Sequence, residues 1–547
     1  MAEARTIRTC NVPIASALAA ALLLAPAAAG ADVRAGGGDL AAYLRARAAD
    51  ADGRVDLAVA DYARALAGAP TSSAIAEPAY REALAAGDDA LATRAAAVLR
   101  AGGQAPSDLP LLAISAAARR NDHRAADAAI ATLAGTPLAV LMPSLSAWSA
   151  HAAGRNPFAP LAAVNATRDP IAARFAGETR ALLLIARGDT AAGLAMVDAV
   201  RTNGAPIDLR LAAAQLLFAA DRPAEARALL TGDDPVLAGL REGAPAKASL
   251  GFGVSRLLAR VAADLAAQQG PVPLSIALAS AALRAEPGND RARLLLADAL
   301  SRDRATDRAL AVLDGVDAGS PFAAAAAAAR ITVLANAGRT ADALALAQAR
   351  AERTDATTGD WQRYADRLAT AERPADAAPW YRRIIDSNGM ASDWAAWLQY
   401  GGALDQAGDW PGAERALEKA LALAPSEPLA LNYLGYARAE RGEDLPGATK
   451  LLERANALRP LDGSIVDSLG WAYHLSGDTR RALPLLERAA AGDPTNAEIG
   501  EHLGDAYWAL GRRYEARYAW RAAVLTATTA AAARITAKLA DGLPSRR

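Results

Sequence analysis

Residues able to do covalent or metal chemistry are few and scattered in this chain of 547 residues. The four histidines are His123, His151, His474 and His502, and no His/Glu pair has the spacing of a helical zinc site. Cys10 is the only cysteine. None of the lysines (Lys247, Lys419, Lys450, Lys538) follows a glycine, so no phosphate-cradling loop with its lysine is present. Gly251-Phe252-Gly253 lacks the third glycine and the preceding strand of a dinucleotide turn. No strand-to-helix elbow presents a nucleophilic serine. Asn165-Ala166-Thr167 has the form of a glycosylation acceptor and is read as chance. No catalytic residue, cofactor or metal site is therefore expected. What remains is recognition chemistry. Tyr436, Trp471 and Trp508 alternate with Asp467, Glu501 and Asp505 near the C-terminus, with Asn432 and His474 among them. Aromatics bury much area while freezing few rotors, which suits them to anchor an interface.

The elements that position these residues repeat. Gly401, Gly435, Gly470 and Gly504 are spaced 34, 35 and 34 residues apart. Gly408, Gly442, Gly477 and Gly511 follow seven residues behind, and Pro425, Pro460 and Pro494 mark the unit ends. In the third copy, Leu469-Gly470 and Tyr473 lie on a first helix that Gly477 closes, because glycine takes positive φ freely. Ala482, Leu486 and Ala489 lie on a second helix that Pro494 stops. Small residues let the two helices approach, and Tyr473 and Leu486 fill the space between. The other copies match at Leu404, Ala413, Leu417 and Ala420, at Leu434, Ala448, Leu452 and Ala455, and at Tyr507, Ala516, Trp520 and Ala523. One extra residue near Leu445-Pro446 makes the second copy longer.

A period of about 34 residues with this pattern is the tetratricopeptide signature. It implies an all-α, right-handed superhelical solenoid of helix pairs, in which each pair contacts its neighbours. In that family the first helix of each pair lines a concave face, through its fifth, ninth and twelfth positions. Here the fifth positions are Leu398, Asn432, Asp467 and Glu501. The ninth are Gly402, Tyr436, Trp471 and Asp505, and the twelfth are Asp405, Ala439, His474 and Trp508. The expected partner-binding surface is thus Asn432, Tyr436, Asp467, Trp471, His474, Glu501, Asp505 and Trp508. The alternative is that the aromatics pack against the next helix or, for Trp508, against the chain end. The face lacks the Lys/Asn set with which related domains clamp C-terminal carboxylates, so a basic or apolar segment suits it better.

The rest of the chain follows the same plan. Alanine dominates, aromatics make up 5%, and alanine is the strongest helix former. Helix pairs are expected from Asp39, which can cap the first helix, with weaker repeats over 32–240 and clearer pairs over 241–392. Asn121, Gly154, Gly188 and Arg222 sit near expected turns, and Pro157, Pro160 and Pro170 mark a disturbed stretch. The strong array spans 393–526, and a capping helix with a short tail spans 527–547. About fourteen pairs result. The net charge is −1, which gives no sign of a nucleic-acid partner. Residues 1–31 look like an export signal: Arg5 and Arg8 precede an apolar run from Ile14 to Leu24, and Ala29-Gly30-Ala31 offers a cleavage site. A periplasmic location is expected, an uncleaved N-terminal anchor being the alternative. Cleavage would leave no cysteine and no stable membrane span.

Finer stretches carry a narrower resemblance. SLGWAYHLSGD, ALPLLERAAAGDP, AEIGEHLGDAYWALGRRYEARYAW and DRARLLLADAL resemble a bacterial envelope group of tetratricopeptide proteins. That group includes the lipoprotein adaptor of a periplasmic C-terminal processing protease, which holds the protease with cell-wall hydrolases, its substrates. The resemblance implies a non-catalytic scaffold with protein partners. This chain departs from it in having no lipid-modified cysteine after the signal. The alternative function is polymer handling, as a component of an exopolysaccharide secretion or cell-wall assembly machine, since aromatic grooves also stack sugars.

Overall fold

The computed structural model of the chain describes residues 39–201, 206–232, 234–387 and 389–543. The expected signal segment, Cys10 and the tail after Leu543 lie outside them. Among the described residues there are thirty α-helices and two short 3-10 turns, with no strand. The fold is an all-α solenoid of helix pairs. Acidic and amide side chains begin many of the helices by accepting from free N–H groups, as Asp39 does from Ala42 N at 2.9 Å. Left-handed residues reverse the chain between helices, among them Asn121, Gly154, Gly188 and Asp221. The proline-rich stretch near Pro157 forms only a short helix, Phe158–Ala162. Two compact units divide at Ala343 and Leu344, inside the segment 241–392 that the sequence sets apart.

In the first unit, packing is not confined to sequence neighbours. The helix Leu250–Ala267 is buried on most of its surface. It packs against Pro110–Arg119, Met142–Ala152, Ile207–Ala219, Val272–Ala285 and Asp290–Arg302. The indole of Trp148 lies on the backbone at Gly253, where an added Cβ would sit 2.0 Å from the ring. Helix Ser73–Ala86 also meets Val272–Ala285, and Ser280 Oγ donates to Leu84 O at 2.9 Å across 196 residues. Arg308 Nε donates to Ala85 O at 3.1 Å. Here distant pairs close on one another, which the repeat period alone does not convey.

The second unit stacks in register. After the pair Thr358–Thr370 and Pro374–Ile385 come four similar pairs. The first is Trp394–Gln406 with Trp410–Leu423, and the second is Pro428–Glu440 with Leu445–Leu458. The third is Gly463–Leu475 with Thr479–Gly492, and the fourth is Ala497–Ala509 with Arg513–Val524. A terminal helix, Thr529–Asp541, follows. The repeating glycine makes room for one large residue of the second helix. A Cβ would stand 2.8 Å from Leu417 at Gly401, 2.9 Å from Leu486 at Gly470, and 2.3 Å from Trp520 at Gly504. The closing glycines have φ of 86°, 69°, 88° and 78°. The extra residue of the second pair is absorbed by Asp444, at φ 39°.

A candidate interaction wall on the second unit

Consecutive first helices of the second, third and fourth pairs bring the expected residues together, with unequal exposure. Tyr436, Trp471 and Trp508 are half-buried, as is Asn432. Asp467, His474, Glu501 and Asp505 are buried. Tyr436 Oη donates to Glu498 Oε1 at 2.5 Å, and the Trp471 indole N–H donates to Glu440. Both carboxylates belong to exposed residues. The aromatic rings are thus held by acidic neighbours that the fifth, ninth and twelfth positions do not include.

The two C-terminal histidines converge on one indole. His474 stacks on Trp471 at 4.9 Å and 10°, and His502 at 4.0 Å and 11°. His502 lies one residue past the fifth position, and that offset turns it across to the preceding first helix. Its Nδ1 meets Asp467 Oδ2 at 2.9 Å. Burial works to lower the His502 pKa, but the Asp467 charge and hydrogen bond outweigh it and hold the imidazole above its ordinary value. In its protonated form the ring sets a cation against the indole face. Asn432 Oδ1 and Asp467 Oδ1 are buried without a hydrogen-bond partner among the described residues.

Glu501 and Asp505 meet the terminal helix. Arg534 donates to both Glu501 oxygens, at 2.9 and 2.7 Å, and Lys538 Nζ lies 2.6 Å from Glu501 Oε1 and from Asp505 Oδ2. Trp520 Nε1 donates to Asp505 Oδ1 at 2.9 Å. Burial pushes Glu501 up, but the bonds from Arg534 and Lys538 prevail and hold it below the usual carboxylate range. At Asp505 burial prevails and the pKa rises. Trp508 Nε1 donates to Leu543 O at 3.1 Å, and Arg513 lies 4.1 Å over its ring. Trp508 therefore packs against the chain end. These three side chains join the fourth pair to its cap, while Asn432, Tyr436 and Trp471 with Glu440 and Glu498 form the accessible part of the wall.

In the first unit, the buried charges around one crevice are paired. A crevice of about 20 Å³ in the first unit is lined by Trp148, Glu178, Asp208, Arg256 and Arg260, room for about one water. Arg260 pairs with Glu178 at 3.2 Å, Arg291 with Asp208 at 2.6 Å, and Arg256 with Glu286 at 2.5 Å. Among the described residues, no group of three or more metal-ligating side chains is placed to hold an ion, and no helix is long and apolar enough to cross a membrane.

The family model of the tetratricopeptide repeat matches residues 260–324, 364–428 and 403–462. Its matches end before the third and fourth pairs, whose glycine-to-side-chain packing is nevertheless the same. No curated protein matches the chain. Among solved structures, a thermophilic tetratricopeptide protein of Thermus thermophilus is 21% identical, covering 34% of this chain and 100% of its own, with a TM-score of 0.31. MamA from Desulfovibrio magneticus is 20% identical, covering 31% and 94%, with a TM-score of 0.27. A tetratricopeptide protein from Parabacteroides merdae is 15% identical, covering 52% and 98%, with a TM-score of 0.36. Helix pairs in both units, matched in part by the family model, make this an all-α protein that carries tetratricopeptide repeats.

Proposed function

We propose that the chain is a non-catalytic scaffold of the periplasm whose second unit holds a protein partner along the wall of Asn432, Tyr436 and Trp471. Tetratricopeptide repeats in general mediate protein–protein contact. The observation that carries the reading is the anchoring of two half-exposed aromatics. Tyr436 is tied to Glu498 and Trp471 to Glu440 and His502, so little rotamer freedom remains to be lost on binding. The carboxylates at the rim suit a segment with basic and apolar side chains. Sugar stacking finds less support here, because the Trp471 ring is already stacked by imidazoles.

In its specific form, the proposal is an adaptor that raises the local concentration of cell-wall hydrolases near a periplasmic processing protease. The test is affinity purification from envelope extract with mass spectrometry, using the natural chain and the Tyr436→Ala plus Trp471→Ala variant. A protease and its hydrolases should copurify with the first, and one of them should be lost with the second at unchanged helical circular dichroism. Retention of every partner by the variant would show that binding does not use this wall.

A further inference from the structure

On the outer side of the fourth pair, helix Arg513–Val524 and its cap Leu525 expose a line of side chains unlike the rest of the array. Tyr514 is 92% exposed, Tyr518 77% and Leu525 86%, and Arg521 is exposed between them. Their spacing is i, i+4, i+7, i+11, the d-a-d-a rhythm of a helix face that packs against another helix. The other pairs act as internal controls. The same positions hold Pro411, Arg415, Glu418 and Ala422 in the first, Pro446, Lys450, Glu453 and Ala457 in the second, and Arg480, Pro484, Glu487 and Ala491 in the third. The repeat scaffold does not need tyrosine or leucine there. Glu453 and Glu487 also face Arg481 and Arg512 of the following pair, at 3.3 and 3.6 Å. Among the described residues a single helix, Thr529–Asp541, follows the fourth pair, and Arg521 makes no ion pair.

We propose that this stripe is a two-fold interface with a second copy of the chain, formed by the two Arg513–Val524 helices packed antiparallel. The line is self-complementary in that direction. A two-fold axis midway between Tyr518 and Arg521 sets Tyr518 against Arg521 of the partner subunit, and Tyr514 against Leu525 of the partner subunit. Each contact then occurs twice, as an isologous interface requires. Two guanidinium-on-phenol contacts and two tyrosine–leucine contacts result. Antiparallel packing also sets opposite helix ends side by side. Four side chains per copy make a small contact beside the roughly 1,200–2,000 Å² of stable interfaces, so the dimer forms at micromolar rather than nanomolar concentration.

Sedimentation equilibrium of the full chain across that range should show the mass rising from one copy to two. The Tyr518→Glu plus Leu525→Glu variant should stay at one copy with unchanged circular dichroism, both positions being exposed. Register is tested by oxidative cross-linking in a Cys10→Ser background. Tyr514→Cys plus Leu525→Cys should form disulfide dimers readily. Leu525→Cys alone should not, because its two copies would lie about 16 Å apart along the axis. The proposal is overturned if the chain stays at one copy throughout, including if it then cosediments with phosphatidylserine-containing vesicles or captures an acidic helix of another protein through this stripe. A dimer that persists in the glutamate variant also overturns it. Cross-linking through Leu525→Cys alone at the rate of the double variant overturns the antiparallel register.

Discussion

His502 and Glu82 both tie stability to pH, and substitution should act on them in opposite directions. Asp467 faces His502 at 2.9 Å, with Trp471 stacked on it and Glu498 and Glu440 nearby. The folded pKa of His502 is raised, so its contribution is fully present below about pH 6.5 and is lost as pH rises through the folded value. Thermal melts of His502→Gln should therefore show a larger loss at pH 6 than at pH 9, and equal losses would remove the charged pair from the account. Glu82 is buried without a partner for Oε2, and burial, with Asp50 and Asp303 nearby, pushes its pKa up to about 8. Its neutral form fits the fold. Stability is complete below about pH 4.5 and falls as pH rises through about 8, by on the order of a few kcal/mol. Glu82→Gln fixes the neutral form, so it should raise the melting temperature at pH 9 and leave it nearly unchanged at pH 5. No gain at pH 9 would mean that the carboxylate is not buried in the folded state. The repeat period made the wall positions legible, since it names the face. It could not say which acids are free, because Arg534 and Lys538, which cover Glu501 and Asp505, lie outside the repeats. Glu440 and Glu498 were missed for a related reason: they flank the named positions and matter only through the rings they hold.

Between helices, the informative residues are glycines that leave room for something large. Gly253 lies under the Trp148 indole, whereas Gly177, on helix Pro170–Ala186, has nothing within 4 Å of an added Cβ. Alanine is favoured over glycine in a helix by about 0.5–1 kcal/mol. Gly177→Ala should therefore raise the melting midpoint slightly. Gly253→Ala places a methyl inside the ring and should cost at least the roughly 1–3 kcal/mol of an overpacked core. Similar midpoints for the two would sink the assigned packing of helix Leu250–Ala267. Buried charge at the same helix adds a second check. Arg260 and Glu178 are both buried and paired at 3.2 Å. Glu178→Ala leaves the guanidinium with only Asp264 and should cost about 3–5 kcal/mol. The Gly251-Phe252-Gly253 run could be rejected as a dinucleotide turn from sequence, but its role as a seat for Trp148 could not be read. The tryptophan is more than a hundred residues away and obeys no repeat spacing.

At the scale of the whole chain, one repeat plan supports two kinds of cooperativity. In the second unit, helix packing runs from each pair to the next, with the Tyr436–Glu498 bond reaching over one pair, so stability should propagate along the array and fray at its end. The terminal helix Thr529–Asp541 has one buried residue, Ile535. Its amides should exchange fastest among the helices of that unit, and Arg534→Ala plus Lys538→Ala should extend the fast exchange into Ala497–Ala509. The first unit should behave differently, because Ser280 bonds to Leu84 O and Arg308 to Ala85 O across about two hundred residues. Closing so long a loop couples segments that a linear stack would leave independent. Hydrogen exchange should therefore give Ser73–Ala86 and Val272–Ala285 similar protection. Arg308→Ala should lower protection in Ser73–Ala86 and Thr306–Asp314 together, with little change in the second unit. If only the segment carrying the substitution responds, the first unit is an open stack like the second. Composition made the helices legible and the period made the pairing of the C-terminal array legible, but this closure was not, since nothing in a 34-residue rhythm says which distant pairs will meet.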